Sequence, residues 1–417
     1  MPLLPAPPSP ADGATPADAA AWVSAHLGDL TLEGPGGVAP GAARGGQSTA
    51  DAVLAALDVT GYARARSTVL PVERRGASRV SPYVRHGLLP LPRVWEAVAA
   101  APPGDRTKYR DELLWQEYAR HLYARVGGGL RDPLRFEQPR GTRWDDEPWP
   151  ERMNCVATVV GELHRDGWLV NQTRMWLASQ WAVRAGADWR DGETETYRHL
   201  LDGSRAANGL GWQWTVGTGS GKAYGFSRWQ VEKRAPQLCT GCALRRACPI
   251  EQWPEASTGP RVDGPDLGRG PVPAGPAAVV DAGEGDEKGE AVWLTAESLG
   301  IEDPALAADP ARTAVFVFDE PLLARLRLSG KRLVFLAETL GELAARRPVE
   351  VRRGPVTGEL AGRRLAATWT PVPGWGRRAA ALDVVERHPW PWLVRPGTTS
   401  VRSFSSWRRD AGRAVPR

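Results

Sequence analysis

The run Ala256–Glu290 restricts this chain more than any other stretch. It is made of Gly, Pro, Asp and Glu with almost no large apolar residue, and such a composition buries too little surface to offset the entropy of ordering it. The hydrophobic period differs on its two sides. Before it, Ala52–Leu57, Leu91–Ala100, Tyr109–Val126, Met153–Leu169 and Arg174–Ala185 carry apolar residues at helical spacing; Leu113, Leu114, Tyr118, Leu122 and Val126 share one face. After it, Ala291–Leu294 and Ala314–Phe318 are apolar runs of strand length, and a helical Leu333–Ala345 separates the second from Val349–Val351. That alternation predicts a small parallel α/β sheet. The expected fold is multi-domain: a flexible Pro/Ala/Gly leader over 1–45, an all-α domain over 46–255, a linker over 256–290, and a small Rossmann-like α/β domain over 291–417.

Composition excludes some classes of function. Of 417 residues, 42% are hydrophobic and 24% charged, as in a globular protein. No apolar run reaches the roughly 20 residues that span a bilayer, and the N-terminus lacks the positive start of a secretion signal. A cytoplasmic location and no membrane partner are expected. Nineteen Trp against 7 Tyr and 6 Phe is an unusual excess, because a buried indole N–H needs an acceptor. Net charge is +5, yet residues 320–417 hold 19 Arg and Lys against 8 Asp and Glu, and Thr60–Arg93 holds seven Arg and one Glu. A polyanion would explain this, as would GC-rich coding.

Two local patterns point to chemistry. The segment Leu201–Thr218, LDGSRAANGLGWQWTVGT, combines an acid, an asparagine, four glycines and two tryptophans. Trp212 and Trp214 are two apart and cannot cover one helical face, while Gly203, Gly209 and Gly211 let backbone approach something flat. A large planar ligand is expected there. The cysteines form the second pattern: Cys239, Cys242 and Cys248 read C-x2-C-x5-C-P, and Cys155 lies on a predicted helix. In a reducing compartment this clustering favours metal over disulfide, and its spacing suits an iron–sulfur cluster or tetrahedral zinc equally.

Five motifs in one order carry a family resemblance: GYARAR (Gly61–Arg66), GASRVSPYVRHG (Gly76–Gly87), ELLWQEYARHL (Glu112–Leu122), GWLVNQTRMWLASQW (Gly167–Trp181) and LLDGSRAANGLGWQWTVGTG (Leu200–Gly219). Together they resemble the FAD-binding helical domain of the photolyase/cryptochrome family, so the first domain is expected to be an all-α, photolyase-like FAD-binding domain. Singly, each has a plainer reading as a helix cap, a surface pair or a core tryptophan. The resemblance implies that the loop Ser78-Arg79-Val80-Ser81 holds the FAD diphosphate. It further implies that Tyr62, Arg174, Asp202, Ser204 and Asn208 contact the cofactor, Asn208 at flavin N5, and that Arg66 contacts DNA. Glu112 would hydrogen-bond a flipped lesion, Trp115 and Trp214 would stack on it, and Asn171 and Met175 would line its pocket. Trp212, Trp189 and Trp144 match the family's electron-hopping order, with Trp149 as another choice of outer member.

Met153-Asn154-Cys155 followed by Cys239, Cys242 and Cys248 resembles a bacterial branch carrying a 4Fe-4S cluster, which favours iron–sulfur over zinc. That branch is associated with (6-4) lesions and has His where Asn171 stands; the lesion side here resembles the cyclobutane type. Gln116, Val170, Gln172 and Ser204 depart from the family's Arg, His, Arg and second acid. VWLTAESLGIEDPAL and SGKRLVFLAETLGEL resemble the α/β antenna domain that normally precedes the helical one, so the chain reads as circularly permuted, its second chromophore undetermined. The expected function is that of a deoxyribodipyrimidine photolyase acting on DNA with pyrimidine dimers, as a monomer. The alternatives are a cryptochrome-like photoreceptor, a (6-4) photolyase and a non-catalytic nucleic-acid-binding domain.

Overall fold

The apolar stripe through Leu113 and Leu122 becomes the 24-residue helix Pro103–Val126, begun by a proline at its first position and ended by Gly127 at φ 60°. This computed structural model describes residues 3–139, 144–253, 258–281 and 288–416. Arg205–Val216 packs against that long helix and in turn against Asn171–Ala178 and Trp189–His199, both of which contact Asn154–Asp166. The stretch expected as one helix over Arg174–Ala185 divides instead: Asn171–Ala178 continues as a π-helix, Ser179–Arg184.

The strands are β1 (Arg269–Pro271), β2 (Val280–Asp281), β3 (Ala291–Leu294), β4 (Thr313–Asp319), β5 (Val349–Gly354), β6 (Leu365–Thr368), β7 (Val384–His388) and β8 (Thr398–Ser400). Six form one sheet in the order β2-β7-β6-β3-β4-β5. Its β3 to β7 run parallel, with Ala314 opposite Val349 and Val292 opposite Ala314 and Ala366. The helix Gly330–Ala344 crosses between β4 and β5. Its burial along nearly its whole length, Lys331 and Arg332 included, marks it as an internal element rather than a surface layer. A helical region followed by an α/β region is therefore what the chain forms.

Two parts expected to be flexible are built into the structure. In the leader, Thr15 and Asp18 form a capping box for the helix Pro16–Leu27, whose Ala19, Trp22, Val23 and Leu27 are buried against Gly330–Ala344. Leu4 N donates to Val351 O at 2.9 Å, Gly45 N to Glu338 at 2.6 Å and Ser48 N to Glu342 at 2.9 Å. A short amphipathic piece thus sufficed to order Pro/Ala-rich chain once a partner face existed. Of the linker, β1 pairs with β8, and β2 adds an antiparallel edge to β7. The boundary at 255/256 and residues 282–287 lie outside the described residues. One hydrophobic cluster, containing Tyr83 and Leu122 with Phe335 and Val394, runs through both regions. No helix among the described residues is long and apolar enough to cross a membrane.

Candidate functional site

A cavity of about 1190 Å³ opens between the helical region and the carboxyl ends of β3 and β4. It exceeds the ~300–1,000 Å³ usual for a small-molecule pocket. The wall formed by the loop from Ser78 to Ser81 is held by side chains: Tyr109 Oη donates to Ser78 Oγ at 3.0 Å, and Trp168 Nε1 donates to Ser81 Oγ at 3.0 Å. Arg79 sits at φ 55°, in the left-handed region, with its guanidinium 5.1 Å from the Trp168 ring. Val80 is buried beneath this loop. Tyr62 meets Tyr109 edge-on at 4.9 Å, and burial, then the charge of Glu112, raise its phenol pKa.

The opposite wall is the loop before Arg205–Val216. Arg174 donates to both oxygens of Asp202, at 3.1 and 2.7 Å. Burial opposes ionisation of that carboxyl, but the Arg174 guanidinium, with the Ser81 hydroxyl and the charge of Arg332, outweighs it and its pKa is lowered. A Cβ at Gly203 would stand 1.9 Å from Nη2 of Arg332, so any larger residue there would displace that guanidinium. Arg332 comes from the α/β region and donates to the carbonyls of Tyr197 and Leu200; Arg85 donates to Gly203 O at 2.7 Å. Ser204 caps the following helix through Ala207 N. A serine fits the cap that an acid could also have made. Asn208, buried and lining the cavity, has no partner for Nδ2 among the described residues.

At the mouth, Glu112 pairs with Lys108 at 3.1 Å and Arg66 at 3.5 Å. Asn171 opens its helix and Met175 lies one turn on. Trp214 is 42% exposed and tilts against Tyr224 at 5.5 Å. The Trp115 ring is stacked on Phe404, 4.2 Å between centroids and 12° between planes. Phe404 begins the last helix, Phe404–Ala411, and nothing in the sequence between positions 115 and 404 signals the contact. Gln172, where the family has Arg, is buried and donates to Tyr224 Oη at 2.9 Å. Gln116 is exposed and Val170 is buried.

Trp212 and Trp189 share a small cluster with Ala178, Ala182 and Val216. Trp212 Nε1 donates to Thr196 Oγ1 at 3.2 Å, and Gly192 lets the ring lie on the backbone, since a Cβ would be 2.3 Å from its Cη2. Trp149 and Trp181, edge-on at 4.7 Å, pack against this cluster. Trp144 packs elsewhere, in the cluster around Met153 and Cys155, its indole donating to Glu147 O.

Cys155, Cys239, Cys242 and Cys248 line one small cavity with Met153, Ile250 and the adjoining Pro249. Burial and the neighbouring thiols push Cys155 to about 12; burial, then Glu232 and two of the thiols, push Cys239 to about 11. Neighbouring thiols that oppose the ionisation of Cys155 and Cys239 suit a cationic centre that would reverse it. Arg184, ending the π-helix, pins the chain after the last cysteine through Pro249 O and Phe226 O.

Comparison with known proteins follows the same ground. Residues 109–236 match the family described as the FAD binding domain of DNA photolyase. The chain resembles the photolyase and cryptochrome family through this helical region. Among its relatives are deoxyribodipyrimidine photo-lyases of Thermus thermophilus, 36% identical over 36% of this chain and 37% of that protein, and of Escherichia coli, 29% identical over 36% of this chain and 34% of that protein. The match therefore spans little more than a third of the curated relatives' length. A class III photolyase structure from Agrobacterium tumefaciens aligns over 53% of this chain and 47% of its own, at 23% identity and a TM-score of 0.40.

Proposed function

We propose that the chain is a light-dependent DNA repair flavoprotein acting on cyclobutane pyrimidine dimers. The observation that carries this reading is convergence. Residues from five separate motifs, from Tyr62 to Trp214, line one cavity of about 1190 Å³, and their types suit a dinucleotide with a planar ring at one end and two extruded, crosslinked bases of one strand at the other. FAD, when bound, supplies the light-driven electron donor. The residues present fit it: an unpartnered buried amide at Asn208, a cation–carboxylate pair at Arg174 and Asp202, and a hydroxyl-bearing loop at Ser78 and Ser81.

The chain's own residues have distinct tasks in this reading. Arg174 keeps Asp202 ionised beside the cofactor, and Arg85 and Arg332 fix the Gly203 turn that carries both Asp202 and Ser204. Glu112 presents a carboxylate at the mouth, while Met175, Asn171 and the rings of Trp115 and Trp214 form an apolar, flat-walled recess that excludes water from the lesion. Arg66, joined to Glu112, is the phosphate contact. Trp212 and Trp189 are the route by which the cofactor is reduced, with Trp149 or Trp181 better placed beside them than Trp144. The four cysteines hold a 4Fe-4S cluster as a structural or redox centre, zinc being the alternative. The α/β region corresponds to a permuted antenna domain.

Two measurements test the proposal. Purified protein should show flavin absorption bands, and blue light with reductant should restore a dimer-containing oligonucleotide. A colourless preparation that still binds nucleic acid would leave only the binding-domain reading. A flavin-loaded protein that photoreduces without repairing the oligonucleotide would instead be a photoreceptor.

A further inference from the structure

On the side of the helical region away from the thiols, two helices bring three metal-ligating side chains together. His164 lies in the last turn of Asn154–Asp166; Glu195 and His199 are one turn apart at the end of Trp189–His199. One ligand atom from each falls within 4.8 Å of the others. The two imidazoles are in contact and tilted against each other, 4.2 Å between centroids and 36° between planes. His199 Nε2 is 3.2 Å from Glu195 Oε1, while Nδ1 of this buried ring has no partner among the described residues.

We propose that His164, Glu195 and His199 bind a divalent transition ion of the Zn2+ or Cu2+ kind. Two imidazole nitrogens and one carboxylate are a donor set that such ions take, and one that oxygen-seeking Mg2+ and Ca2+ do not. Three protein ligands leave a position open, and His164 is exposed, so the remaining coordination faces water. The backbone supports a cation here. Both helices end at this point, and the negative ends of their dipoles converge on it. Of the neighbouring cations, Lys331 pairs with Glu33 at 3.6 Å, and Arg198, at 3.4 Å from Glu195 Oε2, also donates to the carbonyl of Leu326 at 3.2 Å, leaving Glu195 Oε1 beside His199. Two imidazoles in contact beside a carboxylate, with Nδ1 of the buried His199 ring unpartnered among the described residues, have a plainer account as ligands than as packing.

Binding would tie the helix of Cys155 to the helix of Trp189. That clamp sits where the α/β region docks, since Ser329 N donates to Arg198 O at 3.0 Å and Arg332 to Leu200 O at 2.8 Å. The clamp is independent of the photochemical reading.

Co2+ is a suitable probe, because nitrogen and oxygen ligation gives visible d–d bands without the near-ultraviolet charge transfer of thiolates. The full-length protein, with its thiol site as purified, is expected to take up a single equivalent of Co2+ with such a spectrum, displaced by Zn2+. His164→Ala and Glu195→Gln should each weaken it by roughly tenfold or more, since loss of even an outer-sphere partner costs about that much. Because His164 is exposed, His164→Ala should keep its far-ultraviolet circular dichroism. The proposal fails if no saturable uptake occurs at micromolar Co2+, if the spectrum is that of thiolate ligation, or if both variants bind as the wild type does.

Discussion

Single residues set the chemistry of the cavity. Glu112 is tied to Arg66 and Lys108 at the mouth, so Glu112→Ala should slow repair by about tenfold to a hundredfold, the worth of one charged hydrogen bond, while leaving the flavin-to-protein ratio unchanged; a loss of flavin would mean that it anchors the cofactor instead. Trp212 contributes a ring and one hydrogen bond, to Thr196. Trp212→Phe keeps most of the packing, and is expected to block photoreduction in transient absorption while pre-reduced protein still repairs. Phe404 covers one face of Trp115, so removing it leaves that indole free to turn. Phe404→Ala should raise KM for a dimer-containing oligonucleotide more than it lowers kcat, as read in initial rates under saturating light.

At the scale of elements, caps and periods explain most of what forms. Gly127 and Gly167 at positive φ end two helices, and Ser204 and Thr15 begin two others through side-chain caps. The helical periods of Tyr109–Val126 and Met153–Leu169 announced their helices, the first without its opening stretch from Pro103, and Ala291–Leu294 announced β3. The π-helix Ser179–Arg184 was not visible, because the extra residue per turn is imposed by packing: Arg184 has to reach Phe226 O and Pro249 O. One cap has a pH signature. Asp303 accepts from Ala305 N and Leu306 N at the start of Pro304–Ala308 and from Thr368 Oγ1 at 2.7 Å. Burial outweighs these bonds and raises its carboxyl from 3.8 to about 7. The folded protein then retains a proton that the unfolded chain releases, so this group's contribution is full below about 3.8 and is lost as pH rises toward 7. Urea unfolding between those limits should show stability falling with pH, and Asp303→Asn should flatten that slope.

For the whole molecule, the segment before Gly46 is part of the α/β region's packing rather than an appendage. Trp22 is buried against Phe318, with ring centroids 6.1 Å apart, and donates to Pro5 O at 3.2 Å. Trp22→Ala should cost about 3–5 kcal/mol, measured by thermal or urea unfolding, whereas a free leader would tolerate the change within experimental error. The seam between regions is closed by Arg332 and by the Arg85–Glu297 pair at 2.8 Å. The cavity wall is thus completed from a part of the chain that follows the motifs by roughly a hundred residues.

The sequence by itself determined which residues could make a flavin-like site and which thiols cluster, because motif spacing, turn glycines and Cys-x2-Cys are local properties. It also determined the change from helical to strand period on either side of the Gly/Pro run. Only the tertiary structure decided that Pro16–Leu27 packs on Gly330–Ala344 and that β1 and β2 pair with β8 and β7, that Trp144 packs apart from Trp189 and Trp212, that Phe404 lies on Trp115, and that His164 meets Glu195 and His199. Each of those contacts joins positions whose separation leaves no periodic or compositional trace, and each depends on which faces remain to be covered once the helices and the sheet have packed.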